Sequence, residues 1–258
     1  MVINELEKKI QDGKGTFKDA SDIAGEFGKT ATSEIAKQFK ESFPDGSISE
    51  EEVRKIVSPI MRKNHDYISN MTCLVIEAMY KKTGVGLKAV VPEYNIQREN
   101  DLVKEISERS FMDEFINDEL GNKVETSARK TVDDSIKFNA ENANGSGLEV
   151  RVSREYDGVG LSNNRVCQWC LERQGNNMTL QEAYEKGAFQ RHDGCGCLIE
   201  YTSKKGEKTY QTGKSGPNDW LSEEEFQKRV NYGLGGRTPT PQERINAAIE
   251  MQVKDRRK

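Results

Sequence analysis

The strongest constraint on the fold of this chain is a cluster that holds four of its five cysteines. Cys167 and Cys170 form a Cys-x-x-Cys pair, and His192, Cys195 and Cys197 follow as His-Asp-Gly-Cys-Gly-Cys. The two-residue spacing lets both sulfurs of the pair bind one ion, and the glycines permit a tight backbone path between the later residues. Soft thiolates with an imidazole select zinc, so the pattern predicts a structural zinc site.

This pattern offers five candidate ligands, whereas structural zinc takes four. One of His192, Cys195 and Cys197 is therefore expected to lie outside the coordination sphere or to be a spare thiol. Two other interpretations are buried thiols that only pack and a redox dithiol of the thioredoxin type. Packing alone fits poorly because polar residues and glycines surround the cysteines, and the redox motif lacks its strand and long helix. Zinc is expected to hold together a small module with little core of its own.

A catalytic zinc is the less favoured interpretation. The zinc deaminase signature places His-x-Glu before Pro-Cys-x-x-Cys, whereas here the order is reversed and the Glu is missing. A His-rich nuclease site needs more histidines than His65 and His192, and His65 falls on a predicted helix as a surface or core residue. Asp193 and Glu172 are acids near the cluster in sequence, but five candidate ligands leave little need for a bound water. We expect no enzymatic activity, and a zinc-braced nuclease or toxin domain of phage origin is the alternative.

Charge and hydropathy argue against two classes of protein. Lys and Arg number 39 against 43 Asp and Glu, which gives a formal net charge of −4, whereas a dedicated duplex-DNA binder needs a clear basic excess. No apolar run approaches the roughly 18 residues of a membrane span, and the N-terminal residues do not follow the signal-peptide pattern. We expect a protein made in a cytoplasm, where clustered cysteines indicate metal before disulfides.

The order of patterns along the chain predicts an α+β protein in three parts. Residues 1–146 form a helical region, residues 147–215 form a small zinc-stapled α/β module of the zinc-knuckle type, and residues 216–258 form C-terminal helices with a basic tail. The first boundary is placed at the run 142–147, because its Asn and Gly residues break a helix.

Local signals predict where the elements of these parts begin and end. Ser49 and Glu52 form a capping box that starts a helix with apolar residues at steps of three or four as far as Tyr80. Pro59 is expected to kink or split this helix, and Gly84 to end it. Further helices are predicted over 17–43, 99–120, 124–142 and 221–230, with a break at Gly121-Asn122, and strands over 148–153, 198–202 and 209–211.

Several motifs in the second half of the chain resemble a known family. They are Val132-Asp-Asp-Ser-Ile-Lys-Phe-Asn-Ala140, a Ser-Gly-Leu148 break, a strand that ends Val-Ser-Arg154, Cys-Gln-Trp-Cys, and Phe-Gln-Arg-His-Asp-Gly-Cys-Gly-Cys. This order is similar to that of minor head proteins of tailed phages, the Mu protein F-like head-morphogenesis family in its Gram-positive phage type. Members show a cysteine pair and then an Arg-His-Asp/Pro-x-Cys-Arg-Cys block followed by a strand. The resemblance covers about residues 128–215.

The resemblance implies a low-copy virion protein of the phage head. Its implied partners are the portal protein or the major capsid protein, with packaged DNA as a further candidate, and some relatives assist DNA packaging or ejection. Such a protein would act by binding and scaffolding. The chain departs from the family at Gly196, where members carry an arginine between the last two cysteines. A basic side chain is thereby lost, whereas the cysteines and the histidine all remain.

Overall fold

Helices come first along the chain and a small sheet follows, in a computed structural model that describes residues 2–42, 49–108, 119–155 and 167–205. The elements are α1 (Val2–Gln11), α2 (Phe17–Ser42), α3 (Glu50–Lys82), α4 (Ile96–Ser107), α5 (Glu119–Gly145), β1 (Leu148–Glu155), α6 (Gln168–Glu172), β2 (Gly175–Thr179), α7 (Leu180–Glu185) and β3 (Leu198–Lys205). The mixed, mostly helical class expected from the sequence is confirmed. The predicted strand over 209–211 and the helices of 216–258 lie outside the described residues.

Helix α3 begins where the capping box predicts. The Ser49 side chain accepts a hydrogen bond from the Glu52 amide, and the Glu52 carboxylate accepts one from the Ser49 amide. The helix is not split at Pro59, which lies inside one continuous helix. Val57 and Met61, on either side of the proline, are buried, so tertiary packing outweighs the backbone hydrogen bond that proline removes.

Helix α5 also runs further than expected. The predicted break at Gly121-Asn122 is wrong, because the helix starts at Glu119 and continues to Gly145. Leu120 and Val124 on either side are fully buried. Their packing offsets the penalty of about 1 kcal/mol for glycine inside a helix.

Helices α2 and α5 pack closely against each other. A Cβ atom built on Gly28 of α2 would lie 2.6 Å from the Cα of Glu125 on α5. Only a residue without a side chain permits this approach of the two backbones. The contact fixes α5 against the other helices, and the cysteine loop described below is bonded to α5.

The sheet has the order β2-β1-β3, and both pairings are antiparallel. Val152 of β1 lies opposite Met178 of β2 and Tyr201 of β3. One face of the sheet is buried, and its apolar residues share a core with α5 residues such as Ile136. Helix α5 ends at Gly145, next to the boundary expected between residues 146 and 147, and the hydrophobic core continues from α5 into the sheet. None of the described helices combines the length and apolar character needed to cross a membrane.

Candidate metal centre

Two short segments carry the predicted ligands. Cys167 is the N-cap residue of α6, and Cys170 lies one turn later in the same helix. His192, Cys195 and Cys197 lie on the loop between α7 and β3. The Cys195 amide donates to the His192 carbonyl at 3.1 Å, which closes a turn between these two ligands.

The structure brings the five predicted ligands together in two overlapping groups, in which the four cysteines are buried and His192 is half-buried. Two groups of three each have their ligand atoms within 4.8 Å of one another, and both contain Cys170: Cys167, Cys170 and His192, and Cys170, Cys195 and Cys197. The Nε2 atom of His192 lies 3.2 Å from the Cys167 sulfur and 3.1 Å from the Cys170 sulfur, and the sulfurs of Cys170 and Cys195 are 3.7 Å apart. Tetrahedral ligands about 2.3 Å from a zinc ion have sulfurs about 3.8 Å apart. The cluster is therefore of the size that a metal ion requires.

The histidine is oriented for metal binding. Its Nδ1 atom lies 2.7 Å from the carbonyl oxygen of Asp193. A hydrogen bond from Nδ1–H to a carbonyl fixes the tautomer and leaves the Nε2 lone pair for a metal. Trp169 packs edge-on against the His192 ring with centroids 5.1 Å apart, and the Arg173 guanidinium covers the indole at 3.8 Å from its centroid. Trp169 thus serves as packing around the cluster.

Two buried arginines adjoin the sulfurs. Arg191 forms an ion pair with Asp133 of α5, and both side chains are 1% exposed. Arg191 also donates to the Cys195 carbonyl at 2.9 Å. Burial opposes the charge on Arg191, but the Asp133 carboxylate outweighs this effect and raises the pKa of the guanidinium. Arg154, at the inward-facing end of β1, places its Nη2 atom 3.5 Å from the Cys195 sulfur.

Hydrogen bonds, burial and nearby charges shift the pKa values of the cysteine thiols in different directions. A hydrogen bond with Cys197 lowers the pKa of Cys195 to about 4, against the effect of burial, and Arg191 and Arg154 lower it further. The same hydrogen bond, together with burial, raises the pKa of Cys197. Burial raises the pKa of Cys170 to about 11. A bound divalent cation deprotonates a coordinating thiol outright, whatever its intrinsic pKa.

The other candidates from the sequence do not join the cluster. His65 is a buried core residue whose Nε2 lies 3.1 Å from the Pro92 carbonyl. Asp193 forms an ion pair with Lys123 at 2.9 Å, and Glu172 lies 3.9 Å from Arg173. In the part of the chain that the structure describes, the groups able to hold an ion contain cysteine and histidine alone.

Sequence reasoning missed the charged residues around the ligands. Arg154 entered only as the end of a strand motif, and the pairing of Asp133 with Arg191 was not expected. One signal could have drawn attention to Arg154: Val150 and Val152 precede it at alternate positions, and residues two apart in a strand share a face. An arginine that continues a buried apolar face needs a partner for its charge.

Comparisons of the chain with protein-family models, curated proteins and solved structures find no match.

Proposed function

We propose that this chain is a minor head protein of a tailed phage, a virion component that binds the portal or the major capsid protein. The main support for this proposal is that two sequence motifs, far apart along the chain, lie next to each other in the fold. Cys167 and Cys170 of the Cys-Gln-Trp-Cys motif lie against His192 and Cys195 of the Arg-His-Asp-Gly-Cys-Gly-Cys block. These are the motifs through which the sequence resembles the Mu protein F-like head-morphogenesis family. Because these motifs meet in the folded chain, they support a module of the same kind as in that family and argue against a chance match of short sequence motifs.

Within this proposal the ion is zinc and its role is structural. Cysteine sulfurs and one imidazole are the donor set that zinc prefers, and a closed set of four such ligands is typical of structural sites. The ion would join α6 to the loop before β3, and the Arg191–Asp133 pair links that loop to α5. Zinc would then hold α6 and the loop before β3 in place against the sheet and α5.

A scaffolding role follows better than a catalytic one. A catalytic zinc site needs an open position and a nearby group that moves protons. Here Asp193 is engaged by Lys123, and five thiol or imidazole groups compete for the ion. We therefore propose that the protein contributes to the head by binding the portal or the major capsid protein.

Analysis of purified particles tests the virion assignment. Particles of the phage or prophage that encodes the chain would be purified, crosslinked and analysed by quantitative mass spectrometry. We expect the chain at a fixed low copy number, crosslinked to portal or major capsid protein. Its absence from mature particles and procapsids would overturn the assignment. Metal-dependent nucleic-acid cleavage that His192→Ala abolishes, with the fold retained, would favour the nuclease alternative.

A further inference from the structure

Arg154 is the largest side chain that the described part of the protein buries completely. It is 1% exposed, and its Nε atom has no hydrogen-bond partner among the described residues. A guanidinium keeps its charge at any physiological pH. Burying that charge costs several kcal/mol unless a negative group lies beside it. The position of Arg154 therefore requires a counter-charge nearby.

The surroundings of Arg154 show where this counter-charge lies. Its Nη1 donates to the carbonyls of Ala188 and Gln190, which are neutral. Its Nη2 lies 3.5 Å from the sulfur of Cys195 and 4.0 Å from that of Cys170. None of the ion pairs between described residues includes Arg154, whereas the neighbouring Arg191 has its own carboxylate. The guanidinium also lies over the Trp169 ring at 5.6 Å from its centroid, and its charge interacts with that of Asp133. The sulfurs of Cys195 and Cys170 are the ionisable groups within hydrogen-bond distance of Arg154.

The charge of the candidate metal centre depends on how many sulfurs bind the ion. A divalent ion with three thiolates and a neutral imidazole carries one excess negative charge, and four thiolates carry two. The Arg191–Asp133 pair is neutral by itself. Arg154 therefore balances the centre with three thiolates, whereas four thiolates would leave a buried negative charge without a partner.

We infer that Arg154 is the positioning residue and counter-charge of a centre with three thiolates and one imidazole; this inference rests on the metal site of the proposed function. Four residues would hold the ion: Cys167, Cys170 and His192, which form one close group, and Cys195, whose sulfur lies 3.7 Å from that of Cys170. The remaining cysteine, Cys197, lies buried beside the ion without binding it. This assignment reduces the five candidates of the sequence to four ligands.

The contacts of Arg154 distinguish Cys195 from Cys197. An arginine donates preferentially to anionic acceptors, and the sulfurs within reach of its Nη2 are those of Cys170 and Cys195. Cys170 in turn lies 3.1 Å from the His192 Nε2 and 3.7 Å from the Cys195 sulfur. Cys170 thus links the histidine to the thiolate that Arg154 neutralises.

Zinc competition on the full-length chain tests the role of Arg154. The affinity for zinc would be measured against a chromophoric chelator for wild type, Arg154→Met and Arg154→Lys. The matched control is Arg151→Met on the same strand, where Arg151 is half-buried and bonded to Glu149. We expect Arg154→Met to weaken zinc binding about tenfold to a hundredfold, Arg154→Lys to restore part of the loss, and the control to match wild type. Unchanged affinity in Arg154→Met would overturn the inference.

Cobalt spectra test the ligand set, and they keep the inference testable where Arg154→Met fails to fold. Co²⁺ added to the reduced full-length chain gives thiolate-to-metal charge-transfer bands whose intensity rises with the number of bound thiolates. We expect Cys197→Ser to retain the wild-type spectrum and Cys195→Ser to lose about a third of the charge-transfer intensity, since one of three thiolates is removed. The opposite pattern would overturn the assignment. Wild type that binds neither Co²⁺ nor zinc would instead refute the proposed metal site itself.

Discussion

Replacing Asp133 by asparagine removes the negative partner of a buried ion pair without changing the shape of the side chain. Asp133 lies on α5 and pairs with Arg191 of the cysteine loop, with both side chains 1% exposed. The second contact of the pair joins Arg191 Nη2 to Asp133 Oδ1 at 2.9 Å. After the change, the Arg191 charge stays buried without its carboxylate.

The size of the effect follows from this burial. Removing one partner of a buried ion pair costs about 3–5 kcal/mol, whereas an exposed pair contributes about 0–1 kcal/mol. The neighbouring Asp134 provides a matched control, because it also pairs with an arginine, Arg98, but is 34% exposed. We expect Asp133→Asn to lower the melting temperature by about 6 to 20 °C, at about 2–4 °C per kcal/mol for a unit of this size.

Thermal unfolding followed by far-UV circular dichroism, on metal-loaded protein at neutral pH, measures the difference. We expect Asp133→Asn to lower the melting temperature several times more than Asp134→Asn. Equal shifts in the two variants would show that burial does not determine how much each ion pair stabilises the fold.

Two further perturbations test the helical part of the fold. Burial raises the pKa of Glu99, but hydrogen bonds led by that of the Ser58 hydroxyl outweigh this and lower it. A lowered folded-state pKa stabilises the fold above the unfolded value near 4.5, and this stabilisation is lost as the pH falls through the folded-state value. The free energy of unfolding, measured with urea across the acidic range, should therefore depend less on pH in Glu99→Gln than in wild type. The same pH dependence in both proteins would contradict the lowered pKa of Glu99. Gly28→Ala should lower the free energy of unfolding by about 1–3 kcal/mol, because its Cβ would lie 2.6 Å from the Cα of Glu125. Gly121→Ala, whose Cβ would have its nearest neighbour at 3.7 Å, should not lower the free energy of unfolding in the same assay.

Local signals predicted the elements that depend on nearby residues. The capping box at Ser49 gave the start of α3, and alternation after Gly147 gave β1. Gly121 misled the prediction of a break, and Pro59 does not split its helix, because the apolar residues beside both positions are buried in one core. Packing between elements far apart in sequence is not visible in a local pattern, and it overrides intrinsic propensity.

The same distinction applies to the candidate site. Spacing was enough to predict that Cys167 and Cys170 meet the cysteines and histidine of the later block, since short spacings limit where ligands can point. The charges around them could not be predicted in this way. Asp133 and Arg191 belong to a helix and a loop far apart in sequence, and only the packing of that loop on α5 joins them.

Elemental analysis shows whether one metal ion joins the two cysteine segments. Metal content would be measured by plasma mass spectrometry on the reduced full-length chain. The matched variants are Cys170→Ala, which removes the cysteine shared by both groups, and Cys73→Ala, which removes a buried thiol of α3 outside them. We predict one zinc per chain in wild type and Cys73→Ala, and a large loss in Cys170→Ala. Wild type without a bound transition metal, or full zinc in Cys170→Ala, would show that no such ion joins the two segments.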